Sequence, residues 1–106
     1  MAISMVTTTD LSRENCLYAG TAGLSDANRS EGFKPAFLDR DTGRIYRSRF
    51  RDGSPAAFHL LDGLPKTLVV RRSTSGRALA VKGTLVAGFL RRGRFYTRDA
   101  ACRLLA

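Results

Sequence analysis

Along Leu79, Val81, Leu85, Ala87 and Phe89 the odd-numbered side chains are apolar, and Lys82, Thr84 and Gly88 fall between them. A period of two marks strands with one buried face, and Gly83 interrupts it where a bulge or tight bend suits a residue without Cβ. Arg91, Arg92 and Gly93 then form a short loop in which Gly93 takes positive φ, and the chain returns through Arg94, Phe95 and Tyr96. Thr97 is the expected cap of a closing helix that holds Asp99 in its first turn, sets Asp99 and Arg103 four apart, and lays Ala101, Leu104 and Leu105 on the sheet.

Upstream, order is expected to begin near Phe33. Residues 36–39 and 44–49 flank Asp41-Thr42-Gly43, a loop of hairpin type. In the second of these strands Tyr46 and Phe50 alternate with Ile45, Arg47 and Arg49. Two orientations stand: Tyr46 and Phe50 face the core and the arginines form an exposed row, or Ile45 faces the core and the row moves to the sheet edge. Ser54-Pro55 predicts a short helix over residues 55–61 with Phe58 and Leu61 inward, stopped by Asp62-Gly63. Residues 67–72 read as a strand with Leu68 and Val70 on one face, and residues 73–76 as a turn. Gly43-Arg44, Gly76-Arg77 and Gly93-Arg94 share one turn chemistry, glycine at positive φ and arginine opening the next strand.

The fold class expected is α+β: a small antiparallel, strongly curved sheet of about four to six strands built from hairpins, with a short middle helix and a C-terminal helix packed on it. This places one compact domain at residues 33–106. Residues 1–32 are rich in Thr, Ser, Gly and Asn with scattered apolar positions, and read as a flexible N-terminal arm. Within the arm a helix is predicted from Asp10, as its cap, to about Tyr18, ended by Gly20 and Gly23.

Charge changes this picture more than composition does. The chain of 106 residues carries a formal net charge of +9, with 18 Lys and Arg against nine Asp and Glu. Residues 1–32 hold two basic and four acidic side chains, so residues 33–106 hold 16 basic against five acidic ones. So basic a domain attracts polyanions: RNA, DNA, an anionic surface or an acidic protein. Fifteen of the 18 basic residues are Arg, a bias that genome base composition also produces. Cys16 and Cys102 lie at opposite ends with no C-x-x-C spacing and read as unpaired thiols of a cytoplasmic protein, the alternative being a single long-range disulfide, which needs the N-terminal arm to be ordered. The opening residues lack a signal-peptide pattern, and no window approaches the roughly 18 apolar residues of a membrane span.

The run Gly88-Phe89-Leu90-Arg91-Arg92-Gly93-Arg94-Phe95-Tyr96-Thr97-Arg98-Asp99-Ala100 resembles the ending G-F-x-x-x-G-R-F-x-T-R-[E/D]-A of small bacterial and phage proteins of unknown function. The resemblance covers about a dozen residues and implies a strand, turn, strand and capped-helix unit. It implies no catalytic or binding residue.

Catalytic chemistry is thin. His59 is the one histidine, in the middle of the predicted short helix, where a lone His is a packed or surface residue more often than a general base. Two Cys and one His give no metal-ligand spacing, and no phosphate loop or dinucleotide fingerprint is present, so neither a cofactor nor an enzyme is expected. The leading expectation is a non-enzymatic module that binds an RNA or DNA backbone through an arginine-rich face. Arg47, Arg49, Arg51, Arg71, Arg72, Arg91, Arg92 and Arg94 supply planar donor forks for phosphate, and an exposed Tyr96 or Tyr46 stacks on unpaired bases. The alternative is an interaction module for an acidic protein partner, as a monomer or small homo-oligomer, with strand 44–49 pairing at its edge.

Overall fold

The alternation at Leu85, Ala87 and Phe89 becomes strand β6, Leu85–Arg91, with all three side chains buried. The computed structural model describes residues 5–18 and 32–105, which form an α+β fold of seven strands and two helices. Strand β6 is central to a four-stranded antiparallel sheet. It pairs with β2 (Lys34–Asp39) from Lys34 opposite Leu90 to Asp39 opposite Leu85. Strand β3 (Ile45–Arg47) lies outside β2, and β7 (Arg94–Thr97) lies outside β6. A three-stranded antiparallel sheet holds β5 (Ala78–Lys82) between β1 (Met5–Thr7) and β4 (Val69–Arg72).

One sheet was the expectation; there are two, and they part at Gly83. The two-residue turn Gly83-Thr84 carries the chain from β5 to β6 without pairing them. Thr84 Oγ1 donates to Asp39 Oδ1 at 2.7 Å and Arg40 N donates to the Thr84 carbonyl at 3.0 Å, which tie this corner to the end of β2. Asp39 also accepts from Asp41 N, and Lys82 Nζ lies 3.7 Å from it. The Thr84 hydroxyl, before the other partners, holds the Asp39 carboxyl below the usual carboxylate range. Periodicity records which way side chains point, and both strands satisfy it whether or not they pair with each other.

The predicted middle helix does not form. Its cap is diverted, because Ser54 N and Oγ both donate to Asp52 Oδ1, at 2.9 and 2.6 Å. Its backbone groups go to buried Ser48 instead. Ala56 N donates to the Ser48 carbonyl, Leu60 N to Ser48 Oγ at 2.8 Å, and Ser48 Oγ donates to the Phe58 carbonyl at 2.7 Å. Residues 49–60 are therefore an irregular loop stitched to the end of β3, with Leu61 buried and Phe58 exposed. A 3-10 turn, Lys66–Leu68, follows. Leu68 and Val70 do not share the one face expected of them: Leu68 is buried at the end of the 3-10 turn, Val69 pairs with Val81 and packs on the core, and Val70, at a register shift, is exposed.

Residues 5–18 fall before the expected domain boundary, yet β1 pairs with β5. Helix α1, Thr8–Leu17, is capped by Thr7, not Asp10: Asp10 N donates to Thr7 Oγ1 at 3.1 Å and Thr7 N to Asp10 Oδ2 at 2.8 Å, a reciprocal capping box. The helix stop at Gly20 and Gly23 lies outside the described residues. Helix α2, Arg98–Leu105, starts at Thr97, whose Oγ1 accepts from Ala100 N at 3.0 Å. It buries Arg98 and Ala101, three apart, and leaves Leu104 exposed.

The main core gathers Leu11 from α1 with Phe37, Leu61, Leu64 and Val81. A second cluster joins Phe33, Phe89 and Ala101. Three fully buried phenylalanines, Phe33, Phe37 and Phe89, each contribute roughly 2–3 kcal/mol of transfer free energy. Among the described residues no helix is long and apolar enough to cross a membrane.

Candidate functional site

The eight arginines expected to form one face fall into three groups. Arg47 ends β3 and is half-buried, with Nε enclosed and without a hydrogen-bond partner. Arg49 and Arg51 follow it into the irregular loop. Arg49 Nη1 donates to the Gly53 carbonyl at 2.8 Å, and Arg51 Nη2 reaches the Ser75 carbonyl at 3.5 Å. Arg71 and Arg72 close β4, where Arg72 Nη1 donates to the Gly76 carbonyl at 2.9 Å. Arg91, Arg92 and Arg94 surround the β6–β7 turn. Arg91 lies 4.9 Å over the Phe33 ring, and Arg92 takes φ +52°.

Two of these groups meet. Arg51 and Arg72 line one groove of about 580 Å³ together with Lys66 from the 3-10 turn and Phe50. The turn at Gly76 joins them: it stands at φ +89°, and a Cβ there would lie 3.1 Å from Arg51 Nη2. Glycine satisfies the turn and makes room for the guanidinium at once. The arginines of the β6–β7 turn do not line this groove.

Among the described residues none of the eight arginines pairs with a carboxylate, because the carboxylates are engaged elsewhere. Asp39 and Asp41 face Lys82, Asp62 faces Arg77 at 3.4 Å, Asp10 caps α1 and faces Arg13, and Glu14 faces Arg98. Asp52 accepts from Ser54, and Asp99 from the Tyr18 hydroxyl. Arg49, Arg51 and Arg72 spend one N–H each on a backbone carbonyl, which fixes the fork and leaves its charge and its other donors outward.

The aromatic partner expected from sequence is different in the structure. Tyr96 is half-buried on β7, edge-on to Phe33 with centroids 5.4 Å apart, and Tyr46 packs against the main core. The exposed rings are Phe50 and Phe58, 41% and 51% accessible, perpendicular to each other at 6.1 Å. Tyr46 thus takes the core side of its strand while Phe50 does not. The sequence offered a signal for Phe50, since Arg49-Phe50-Arg51 interleaves a ring with two cations. Lys66 had no such signal.

His59 occupies a different place. Its Nε2 lies 2.7 Å from the Gly88 carbonyl, an acceptor only, so Nε2 carries the proton and Nδ1 accepts from Arg98 Nη2 at 3.1 Å. Phe37 and Phe89 enclose the ring, each 5.4 Å away. Burial first, then the Arg98 charge, push its pKa down to about 4. Both ring nitrogens are committed to protein partners, so the imidazole joins the loop to β6 and α2. A small cavity beside it, about 180 Å³, is lined by Leu11, Asn15 and Asp62 among others and by neither cysteine. Comparison with protein-family models, with curated proteins and with solved structures finds no match.

Proposed function

We propose that this chain is a non-enzymatic basic module that binds an RNA or DNA backbone. The observation that carries the reading is the set of eight arginines without a carboxylate partner among the described residues, in a chain of net charge +9. Guanidinium groups held by backbone carbonyls lose little further freedom on meeting phosphate, and phosphate contact releases condensed counterions. Arg51, Arg72 and Lys66 together present three cations in one concavity. The proposal keeps the chain cytoplasmic, and requires neither cofactor nor metal.

The test is a fluorescence-anisotropy titration of the purified chain against a labelled single-stranded oligonucleotide at two salt concentrations. Three phosphate contacts give a log–log slope of about −2 on a single strand, so affinity is expected to fall roughly twenty-fold between about 50 and 200 mM salt. No binding at the lower salt, or binding indifferent to salt, removes the reading.

A further inference from the structure

Deepening that reading and resting on it, we infer that the groove between the 49–55 loop and the β4–β5 turn is a binding site for single-stranded nucleic acid, with one unpaired base stacked on Phe50 and its flanking phosphates on Arg51, Lys66 and Arg72. The groove's volume of about 580 Å³ is that of a small-ligand site. Its wall combines an exposed ring with three cations, the pairing that single-strand binders use because every base has a π face. Phe58 meets Phe50 at 90°, so the two rings brace each other and little side-chain freedom is left to lose when a base arrives.

The loop that carries Phe50 is fixed before any ligand comes. Phe50 N donates to the Ser54 carbonyl and Gly53 N to the Phe50 carbonyl, at 2.8 and 2.9 Å. The acids near the groove do not oppose an anion at full strength. Asp62, which lines it, accepts from Ala78 N at 2.8 Å and faces Arg77, while Asp52 is turned onto Ser54. Only an unpaired base presents a free face to Phe50, because in a duplex both faces are covered by neighbouring base pairs. Neither described helix presents a row of cations to a duplex groove: α1 carries a single arginine, Arg13, which faces Asp10, and α2 buries Arg98 and exposes Arg103.

The test titrates the intact chain with labelled oligo-deoxythymidine, oligo-uridine, a duplex of equal length, inorganic polyphosphate and poly-glutamate. Phe50→Ala is expected to weaken binding of the single strands by about five-fold or more while leaving polyphosphate affinity and the salt slope unchanged, and Phe50→Tyr is expected to keep wild-type affinity. Circular dichroism checks that each variant folds. A readout on the wild-type chain needs no variant: photo-crosslinking with a thiopyrimidine oligonucleotide, mapped by mass spectrometry, should place adducts within residues 50–58. Salt-dependent oligonucleotide binding that Phe50→Ala leaves intact, with adducts elsewhere, overturns the stacking site and leaves the wider polyanion reading standing. Absence of salt-dependent binding overturns both. Duplex bound as well as single strand overturns the single-strand assignment, and poly-glutamate bound as tightly as the oligonucleotides makes an acidic protein the partner.

Discussion

His59 and Arg98 are joined nitrogen to nitrogen, with Arg98 Nη2 donating to His59 Nδ1 at 3.1 Å and the guanidinium 2% exposed. The arrangement admits only the neutral imidazole, since a proton on Nδ1 would face a fixed cation. Its consequence is a pH dependence whose sign is set by the depressed value of about 4 against an unfolded 6.5. Between those values the unfolded chain takes up the proton and the folded chain does not, so stability is complete above about pH 6.5 and falls as pH drops toward 4. The loss is about 2–3 kcal/mol. Glu14, facing Arg98 from α1, is raised by burial and so adds a smaller contribution of the opposite sign at the acid end. Urea unfolding of wild type and His59→Gln across this range checks it: the variant should lack the slope between pH 6.5 and 5, and identical profiles would refute the assignment.

Ser48 is the pin of the irregular loop. Ser48→Ala leaves Leu60 N without its acceptor and the Phe58 carbonyl without its donor. A destabilisation of about 2 kcal/mol follows, with amide exchange accelerating at Leu60 before it does in β6.

Gly88 of β6 pairs with Thr97 of β7. A Cβ there would lie 2.3 Å from the Tyr96 carbonyl oxygen and 2.4 Å from the Phe95 ring. The backbone oxygen belongs to a paired strand and has no room to retreat, so Gly88→Ala should cost about 3 kcal/mol, read as a lowered urea midpoint. A variant as stable as wild type would mean that β7 shifts freely.

Removing the groove's charge should change binding without changing the fold. Arg51→Ala with Arg72→Ala deletes two exposed guanidiniums that touch only loop carbonyls. The salt slope on a single-stranded oligonucleotide should become shallower by about 1.4, while the thermal midpoint stays close to wild type. Arg44→Ala, exposed, outside this groove and outside the set of eight, is the matched control.

What the sequence disclosed and what it withheld follow from distance along the chain. The Asp41-Thr42-Gly43 hairpin, the β6–β7 turn and the Thr97 cap are each specified within a few residues, and each is present. The loss of the middle helix was not legible, because Ser54-Pro55 is a sound start and the competitor, Ser48, acts from outside the segment. The α1 cap was misplaced by three residues since Asp10 is a good cap by itself, and only Thr7 three positions earlier turns it into the other half of a box. Arginines could be counted from sequence but not grouped: Arg51 and Arg72 share a groove only because the 49–55 loop folds back onto the turn at Gly76. The exposure of Phe50 in place of Tyr96 has the same origin, for Phe33, just ahead of β2 and distant in sequence, covers the tyrosine.

Glu14 on α1 and Tyr18 at its C-terminal cap are met by Arg98 and Asp99, which open α2. A ribosome delivers these partners some eighty residues apart. Bringing ends so far apart together costs more loop-closure entropy than any hairpin of the two sheets, so this clasp on α1 is among the last contacts to form. A variant cut after Thr97 would keep Leu11 in the core but lose the clasp, so α1 should fray from its C-terminal end first.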